Sequence, residues 1–252
     1  MESTTRSRWK AKSFAEIAEA NPMSGIIIKL QASLSESQAQ AMLLDCSDAL
    51  LEATPELSDL LNRACFGKQI NTYDSGKQWF QLGPEEAFYL HHALHCSTIN
   101  GETGNAMNAV EVWECMVSRN KAFPWLYTAY AHLRRKNWVV RSGLQYGVDF
   151  VAYRHHPALV HSEFAVLVLS DDDDGESRLR VWSDLQCSLR VCGGVAKTLL
   201  VLHVIKCSTK NELDSRLLYG WDEYTVIEER TITRWVPEHC REAHASDGGA
   251  TQ

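Results

Sequence analysis

The sequence predicts an α/β (α+β) protein, with a small N-terminal α/β domain followed by a C-terminal domain built on a mixed sheet. Three observations carry this. Helical patterning punctuated by Pro and Gly fills most of the chain up to residue 135, strand patterning dominates from residue 138, and a helix end followed by a new helix start falls near residue 119. At 252 residues and 45% hydrophobic composition the chain can bury one large core or two modest ones, and the change of pattern favours two domains.

Residues 1–22 are polar and are expected to form a flexible tail, with residues 23–118 as the N-terminal α/β domain. "GIIIKLQ" reads as a short buried strand. Helical patterning follows through "SESQAQAMLLDCSDALLEA" and "PELSDLLNRACFG", where Gly67 is the expected helix stop. "LGPEEAFYLHHALHC" predicts a helix with Pro84 at its first position and Glu85 and Glu86 at the positive end of its dipole. "NAMNAVEVWECMVSR" and "FPWLYTAYAHLRRKNW" predict two more.

The second domain is expected over residues 119–240, with 241–252 as a second flexible tail. "WVVRSG", "VDFVAYR" and "HSEFAVLVLS" are rich in strand-forming residues, and "DDDDGES" reads as a solvated turn leading to "RLRVW". "SDLQCSLRVCGG" combines a Ser183/Gln186 capping box with a double-glycine stop and predicts a short helix. Lys197 then opens the apolar strand "KTLLVLHVI", and "YTVIEERTITRW" supplies the last strand.

Composition narrows the function. No run of eighteen apolar residues occurs and the N-terminus lacks the apolar centre of a secretory signal, so a soluble intracellular protein is expected. The eight cysteines contain no C-x-x-C pair and read as reduced, structural thiols. His91, His95 and Cys96 share a helical spacing, but no second cluster completes a tetrahedral metal site. The net charge of −7 hides a gradient: residues 119–161 hold seven Lys/Arg and one acid, leaving −13 on the remainder. Such a basic segment suits a polyanion and equally suits a solvated helix face.

One short region concentrates titratable side chains. In "GLQYGVDFVAYRHHPALVHSEFAVLV", Tyr153 closes one predicted strand and His161 opens the next, while Lys197 begins a third. Phosphodiester cleavage by a ribose 2′-hydroxyl needs a proton acceptor, a proton donor for the leaving 5′-oxygen and a cation for the charge on phosphorus. Tyr, His and Lys can fill those roles without metal or cofactor. Each also has a structural reading, as strand residue, strand-end histidine and snorkelling lysine. His155 and His156, in the Pro157 bend, read as exposed turn residues. A metal-dependent nuclease of restriction type would use Asp149, Glu163 and a lysine on the same strand face, but Ala165 stands where that lysine belongs. A non-catalytic RNA-binding or scaffold subunit is the remaining alternative.

The same stretch together with "LRVCGGVAKTLLVLHV" resembles the catalytic core of the tRNA-splicing endonuclease family, in which a Tyr, a His eight to ten positions later and a Lys on a following strand form the active site; here the Tyr-to-His spacing is eight. "YAHLRRKNWVVRSG" and "LGPEEAFYLHHAL" are also similar to that family, so the resemblance spans about residues 80 to 240. It implies a nuclease domain of the tRNA-intron endonuclease type, with Tyr153, His161 and Lys197 as catalytic residues. It further implies Arg190 and Trp235 as candidates to grip an RNA base, through stacking and cation-π contact, with Trp235 equally readable as a core or interface aromatic. The form "YRHHPALVHSEF" looks most like the subunit that cuts the 5′ exon-intron junction. That resemblance implies metal-independent cleavage of precursor tRNA to 2′,3′-cyclic phosphate and 5′-hydroxyl ends, with no cofactor. It also implies a nuclear heterotetramer with structural and second catalytic subunits, paired through the C-terminal strand. The chain departs from better-known versions in lacking a long insertion between domains.

Overall fold

The computed structural model describes residues 8–45, 47–70, 78–101, 104–170, 179, 181–195, 197–206 and 225–232. The N-terminal part begins with two helices, α1 (Lys12–Ala20) and α2 (Met23–Glu36), where a flexible tail and a short strand were expected. The three consecutive isoleucines of "GIIIKLQ" are ambiguous by themselves, because a short apolar run does not reveal its period. The longer spacing decides. Met23, Ile26, Leu30 and Leu34 recur every three to four residues and are the buried face of α2, while Ile28 is left 65% exposed.

The segment after α2, expected to be helical, is a hairpin of β1 (Gln40–Leu43) and β2 (Ala49–Ala53). Its buried residues fall at every second position, Ala41 and Leu43 on one strand, Ala49, Leu51 and Ala53 on the other. Helix α3 (Pro55–Ala64) starts as anticipated, with Pro55 in its first turn and Thr54 Oγ1 accepting the Leu57 N–H at 3.3 Å. It does not stop at Gly67: Cys65 takes the left-handed cap conformation at φ 59°. Gly67 is needed two residues later, at φ +65°, where a Cβ would stand 2.9 Å from the Gln81 carbonyl oxygen.

Strands β3 (Lys68–Ile70) and β4 (Gln78–Leu82) precede α4 (Pro84–Phe88), which widens into a π turn at Tyr89–Ala93; β5 (Thr98–Asn100), β6 (Ala106–Met107) and α5 (Ala109–Arg119) follow. The first sheet has the order β3-β4-β2-β1-β5-β6, with β1 and β5 parallel and the other neighbours antiparallel. A capping box opens α5, Asn108 Oδ1 accepting from Val110 and Glu111 N–H and Glu111 Oε2 accepting from Asn108 N–H.

Helix α6 (Phe123–Arg135) leads into the second sheet: β7 (Val139–Ser142), a 3₁₀ turn at Leu144–Tyr146, β8 (Phe150–Tyr153), β9 (Phe164–Ser170), α7 (Trp182–Gly194), β10 (Thr198–Lys206) and β11 (Thr225–Ile232). The order is β11-β10-β9-β8-β7, with β9 and β10 parallel across α7 and the other pairs antiparallel. Alternation splits the two faces cleanly. Phe150, Ala152, Phe164, Val166, Leu200 and Leu202 join the main core, while Val151, Ala165, Leu167, Leu199 and Val201 form a smaller core with Cys192 of α7. Burial on both faces explains why β9 reads as a continuous apolar run.

Helix α7 is longer than the capping-box reading allowed and starts one residue earlier. Asp184 Oδ2, not the Ser183/Gln186 pair, serves its first turn by accepting the Val181 N–H at 3.1 Å. The double glycine ends it as expected, at Gly194. The acidic "DDDDGES" turn lies outside the described residues, as do Arg178 and Arg180 of "RLRVW", whose last residue, Trp182, opens α7.

The main core is continuous from Met23 to Leu202 and therefore joins the two sheets. A buried arginine fastens the junction. Arg134, 1% exposed, donates from Nε to Tyr130 Oη at 2.9 Å, from Nη2 to the Cys65 carbonyl at 2.9 Å and from Nη1 to the Ala64 carbonyl at 3.3 Å, with its guanidinium 4.1 Å above the Phe66 ring. Arg141 of β7 donates to the Gly67 carbonyl at 2.8 Å, and Glu86 Oε2 accepts the Gly67 and Gly83 N–H groups at 3.1 Å each. The last carbonyl of α3 and that of its cap are thus satisfied by Arg134 of α6, and the Gly67 carbonyl beyond them by Arg141 of β7.

Candidate active site

Three adjacent strands end together. Ala152 of β8 pairs with Phe164 of β9, and Phe164 pairs with Thr198 of β10. The Glu163 N–H donates to the Ala152 carbonyl at 3.0 Å and the Thr198 N–H to the Glu163 carbonyl at 2.9 Å, so the register holds to the strand tips. Tyr153 is the last residue of β8, His161 lies three residues before β9, and Lys197 lies one residue before β10. The topology therefore brings all three to one end of the second sheet.

Their environments differ. Tyr153 is half-buried and hydrogen-bonds Ser162; burial pushes its hydroxyl above the ordinary tyrosine value, against the lowering effect of that hydrogen bond and of Arg141. His161 is exposed, and its main-chain N–H donates to the Arg8 carbonyl at 3.1 Å. Lys197 is half-buried; its N–H donates to the Cys192 carbonyl at 2.9 Å, and its ammonium sits 4.1 Å from the Tyr146 ring centroid. Tyr146 was not singled out in the sequence. Its signal was local, a tyrosine closing the 3₁₀ turn before Gly147, which adopts φ +68°.

The loop of residues 154–163 is more structured than its sequence suggests. Arg154 Nε donates to Glu163 Oε1 at 2.9 Å and Oε2 at 3.1 Å across the loop base, and its guanidinium lies 4.9 Å from the Trp138 ring centroid. His155, expected in an exposed turn, is instead 6% exposed, and Nε2 donates to the Asn21 carbonyl at 2.8 Å. Since a carbonyl only accepts, the proton belongs on Nε2. His156 is half-buried with Nδ1 accepting the Ala158 N–H at 3.1 Å, and burial and the neighbouring His155 and Arg141 charges push its pKa down. The bend is a packed corner because His155 reaches the Asn21 carbonyl between α1 and α2, and Lys10 Nζ reaches the Pro157 carbonyl.

Carboxylates here serve the backbone and Arg154. Asp149 Oδ2 accepts the Val168 N–H at 2.8 Å, and Glu163 is held by Arg154. Among the described residues no three His, Cys, Asp or Glu side chains gather as a metal site. His91 Nδ1 meets the Ser97 carbonyl at 2.9 Å, and the Cys96 thiol, pushed up to about 12 by burial, donates to the Leu90 carbonyl. Arg190 is exposed on α7, and Trp235 lies outside the described residues.

Comparison with known proteins connects this geometry to a family. Residues 123–212 match the tRNA intron endonuclease catalytic C-terminal domain and residues 40–113 the tRNA intron endonuclease N-terminal domain. A probable tRNA-splicing endonuclease subunit Sen2 of Oryza sativa subsp. japonica is 52% identical over 243 residues, covering 93% of this chain and 82% of that protein. The Arabidopsis thaliana tRNA-splicing endonuclease subunit Sen2-2 is 49% identical over 240 residues, covering 95% and 93%. The Sen2 subunit of Rattus norvegicus is 34% identical over 167 residues, covering 65% of this chain and 36% of the rat protein. With both domains matched and such identity over most of its length, the chain belongs to the tRNA intron endonuclease family, among its Sen2 subunits.

Proposed function

We propose that this Sen2-family chain cuts precursor tRNA at the 5′ exon-intron junction, using Tyr153, His161 and Lys197 without a metal ion or other cofactor. The observation that carries this reading is the meeting of those three residues at one end of the second sheet, within the region matching the catalytic domain. The ribose 2′-oxygen attacks the adjacent phosphorus, its proton passing toward Tyr153 as the new 2′-O–P bond forms. The P–O5′ bond breaks and His161 protonates the departing 5′-oxygen, while Lys197 faces the charge on the equatorial oxygens. The products are a 2′,3′-cyclic phosphate and a 5′-hydroxyl.

Burial that raises Tyr153 constrains its role. An unperturbed tyrosine is ionised to about one part in a thousand at neutral pH, and raising the pKa reduces that fraction. The phenol oxygen therefore takes the 2′-proton only as its own proton leaves to solvent, in concert with attack, instead of waiting as phenolate. Arg190 and Trp235 are assigned to gripping a base beside the cut. Precursor tRNA is the substrate, and the chain works in a nuclear heterotetramer with structural and second catalytic subunits that it joins through β11.

The test is cleavage by the co-expressed, purified complex. His161→Ala should abolish the 5′ cut, preserve RNA binding and accumulate an intron plus 3′ exon intermediate, since a general acid contributes about a hundredfold to ten-thousandfold in rate. Loss of the 3′ cut alone would show that the subunit serves the other junction. A 3′-hydroxyl product or strict need for divalent metal would overturn the mechanism.

A further inference from the structure

The segment leading into α1 is strand-paired with the loop that carries His161. Trp9 and Val160 face each other across a single antiparallel bridge. On one side the Lys10 N–H donates to the Leu159 carbonyl at 3.0 Å; on the other the His161 N–H donates to the Arg8 carbonyl at 3.1 Å. The second bond ends on His161 itself. Lys10 Nζ also donates to the Pro157 carbonyl at 2.7 Å, and the end of α1 contributes the Asn21 carbonyl that receives His155 Nε2 at 2.8 Å.

The loop is therefore held from outside at residues 155, 157, 159 and 161, always by residues 8–21, while Arg154 and Glu163 close its base. Those holding residues lie outside both matched family regions, which begin at residues 40 and 123. A ten-residue connection carrying an exposed histidine would otherwise sample many positions. Misplacement of a reacting group by about 1 Å can cost roughly a hundredfold in rate.

We infer that residues 8–21 form a strap that fixes the position of His161, making the 8–10 segment a positioning part of the cutting site. This rests on His161 being the general acid. The backbone is the active element: the bridge works through the Lys10 N–H and the Arg8 carbonyl, and the Lys10 ammonium adds a separate tie that side-chain truncation can isolate.

The experiment uses the full-length chain in its co-expressed complex, cutting precursor tRNA. Lys10→Pro removes the N–H that reaches Leu159, whereas Lys10→Ala keeps it and removes only the ammonium. Lys10→Pro should lower kcat for the affected junction about tenfold to a hundredfold with KM unchanged, and Lys10→Ala should stay within about threefold of wild type. Lys10→Pro added to His161→Ala should fall no lower than His161→Ala alone, because both act through one group. The other junction's cut should persist in every variant and reports that the complex is assembled. Should Lys10→Pro fail to assemble, a chain beginning at Ala11, which lacks both backbone bonds of the bridge, should show the same kcat loss. Wild-type kcat in Lys10→Pro, a full additional loss on top of His161→Ala, or equal losses in Lys10→Pro and Lys10→Ala would overturn the strap. His161→Ala cutting at the wild-type rate would instead overturn the assignment of His161, and the strap's catalytic role with it.

Discussion

The Lys197 ammonium stands 4.1 Å from the centroid of the Tyr146 ring. The ring is delivered by the turn between β7 and β8, and the lysine by the junction of α7 with β10, so two otherwise separate connections meet at the sheet end. A cation held over an aromatic face is stabilised by about 0.5–2 kcal/mol, depending on exposure. Tyr146→Ala should therefore lower kcat by about threefold to thirtyfold through loss of lysine placement, while Tyr146→Phe, which keeps the ring, should stay near wild type. Single-turnover cleavage of precursor tRNA measures this; equal losses in the two variants would assign the effect to the hydroxyl.

Arg154 and Glu163 close the loop that carries His161, with Glu163 leaving only 3% of its side chain in water and Arg154 leaving 40%. The asymmetry predicts unequal mutants. Arg154→Ala takes the bidentate cation from a buried carboxylate and also empties the face of Trp138, which should cost about 2 kcal/mol after allowance for the exposed partner. Glu163→Gln in the Arg154→Ala background removes the buried charge and should restore part of the loss. Thermal unfolding of the four proteins of this cycle tests it; a double variant less stable than Arg154→Ala would contradict it.

Much of the second sheet was legible because its signals are local. Strand-forming residues set β7 and β8, unbroken apolar runs set β9 and β10, and Gly193 and Gly194 end α7. The positions of Tyr153, His161 and Lys197 followed, since strand order alone determines which tips are neighbours. The N-terminal errors have a common cause. In α2 and the β1–β2 hairpin, short apolar stretches fit either period until their burial partners are known. The strap could not be read at all. Trp9 meets Val160 through one bridge, and neither neighbourhood carries a pattern that names the other. His155 was misread for the same reason, its partner being the Asn21 carbonyl at the far end of α1.

Glu229 of β11 receives His132 Nε2 from the last turn of α6 and Lys136 Nζ from the residue that caps that helix. Partial burial alone would raise its pKa; the two hydrogen bonds and the accompanying charges outweigh it and hold the carboxyl below its ordinary value. A carboxylate lowered in the folded state contributes stability above its unfolded pKa, near 4.3, and loses it as pH falls through the lower folded value. Glu229→Gln should therefore lower Tm near neutral pH, and the gap to wild type should close below about pH 4. With 37% of the Glu229 side chain exposed, solvent screens the cluster and added salt should narrow the same gap. A gap that widens on acidification would contradict the assignment.

Strand β11 forms the edge of the second sheet, and among the described residues it pairs with β10 alone, across eight residue pairs. A strand of that length with an open hydrogen-bonding edge is a template for another chain unless charges guard it. Here Glu229 and Arg230 lie in its second half with Glu228 just before them, while Val226, near its start, leaves 50% of its surface in water. The guarded half is tied inward through Glu229 to α6, which leaves the first half as the more apolar approach for a structural subunit. Val226→Asp should weaken copurification of that subunit and lower cleavage in proportion, with activity recovering as partner concentration is raised. The Tm of the isolated chain should stay close to wild type, because Val226 is already half in water. A full-length chain that remains monomeric and cuts precursor tRNA at the rate of the assembled complex would overturn the expected pairing through β11.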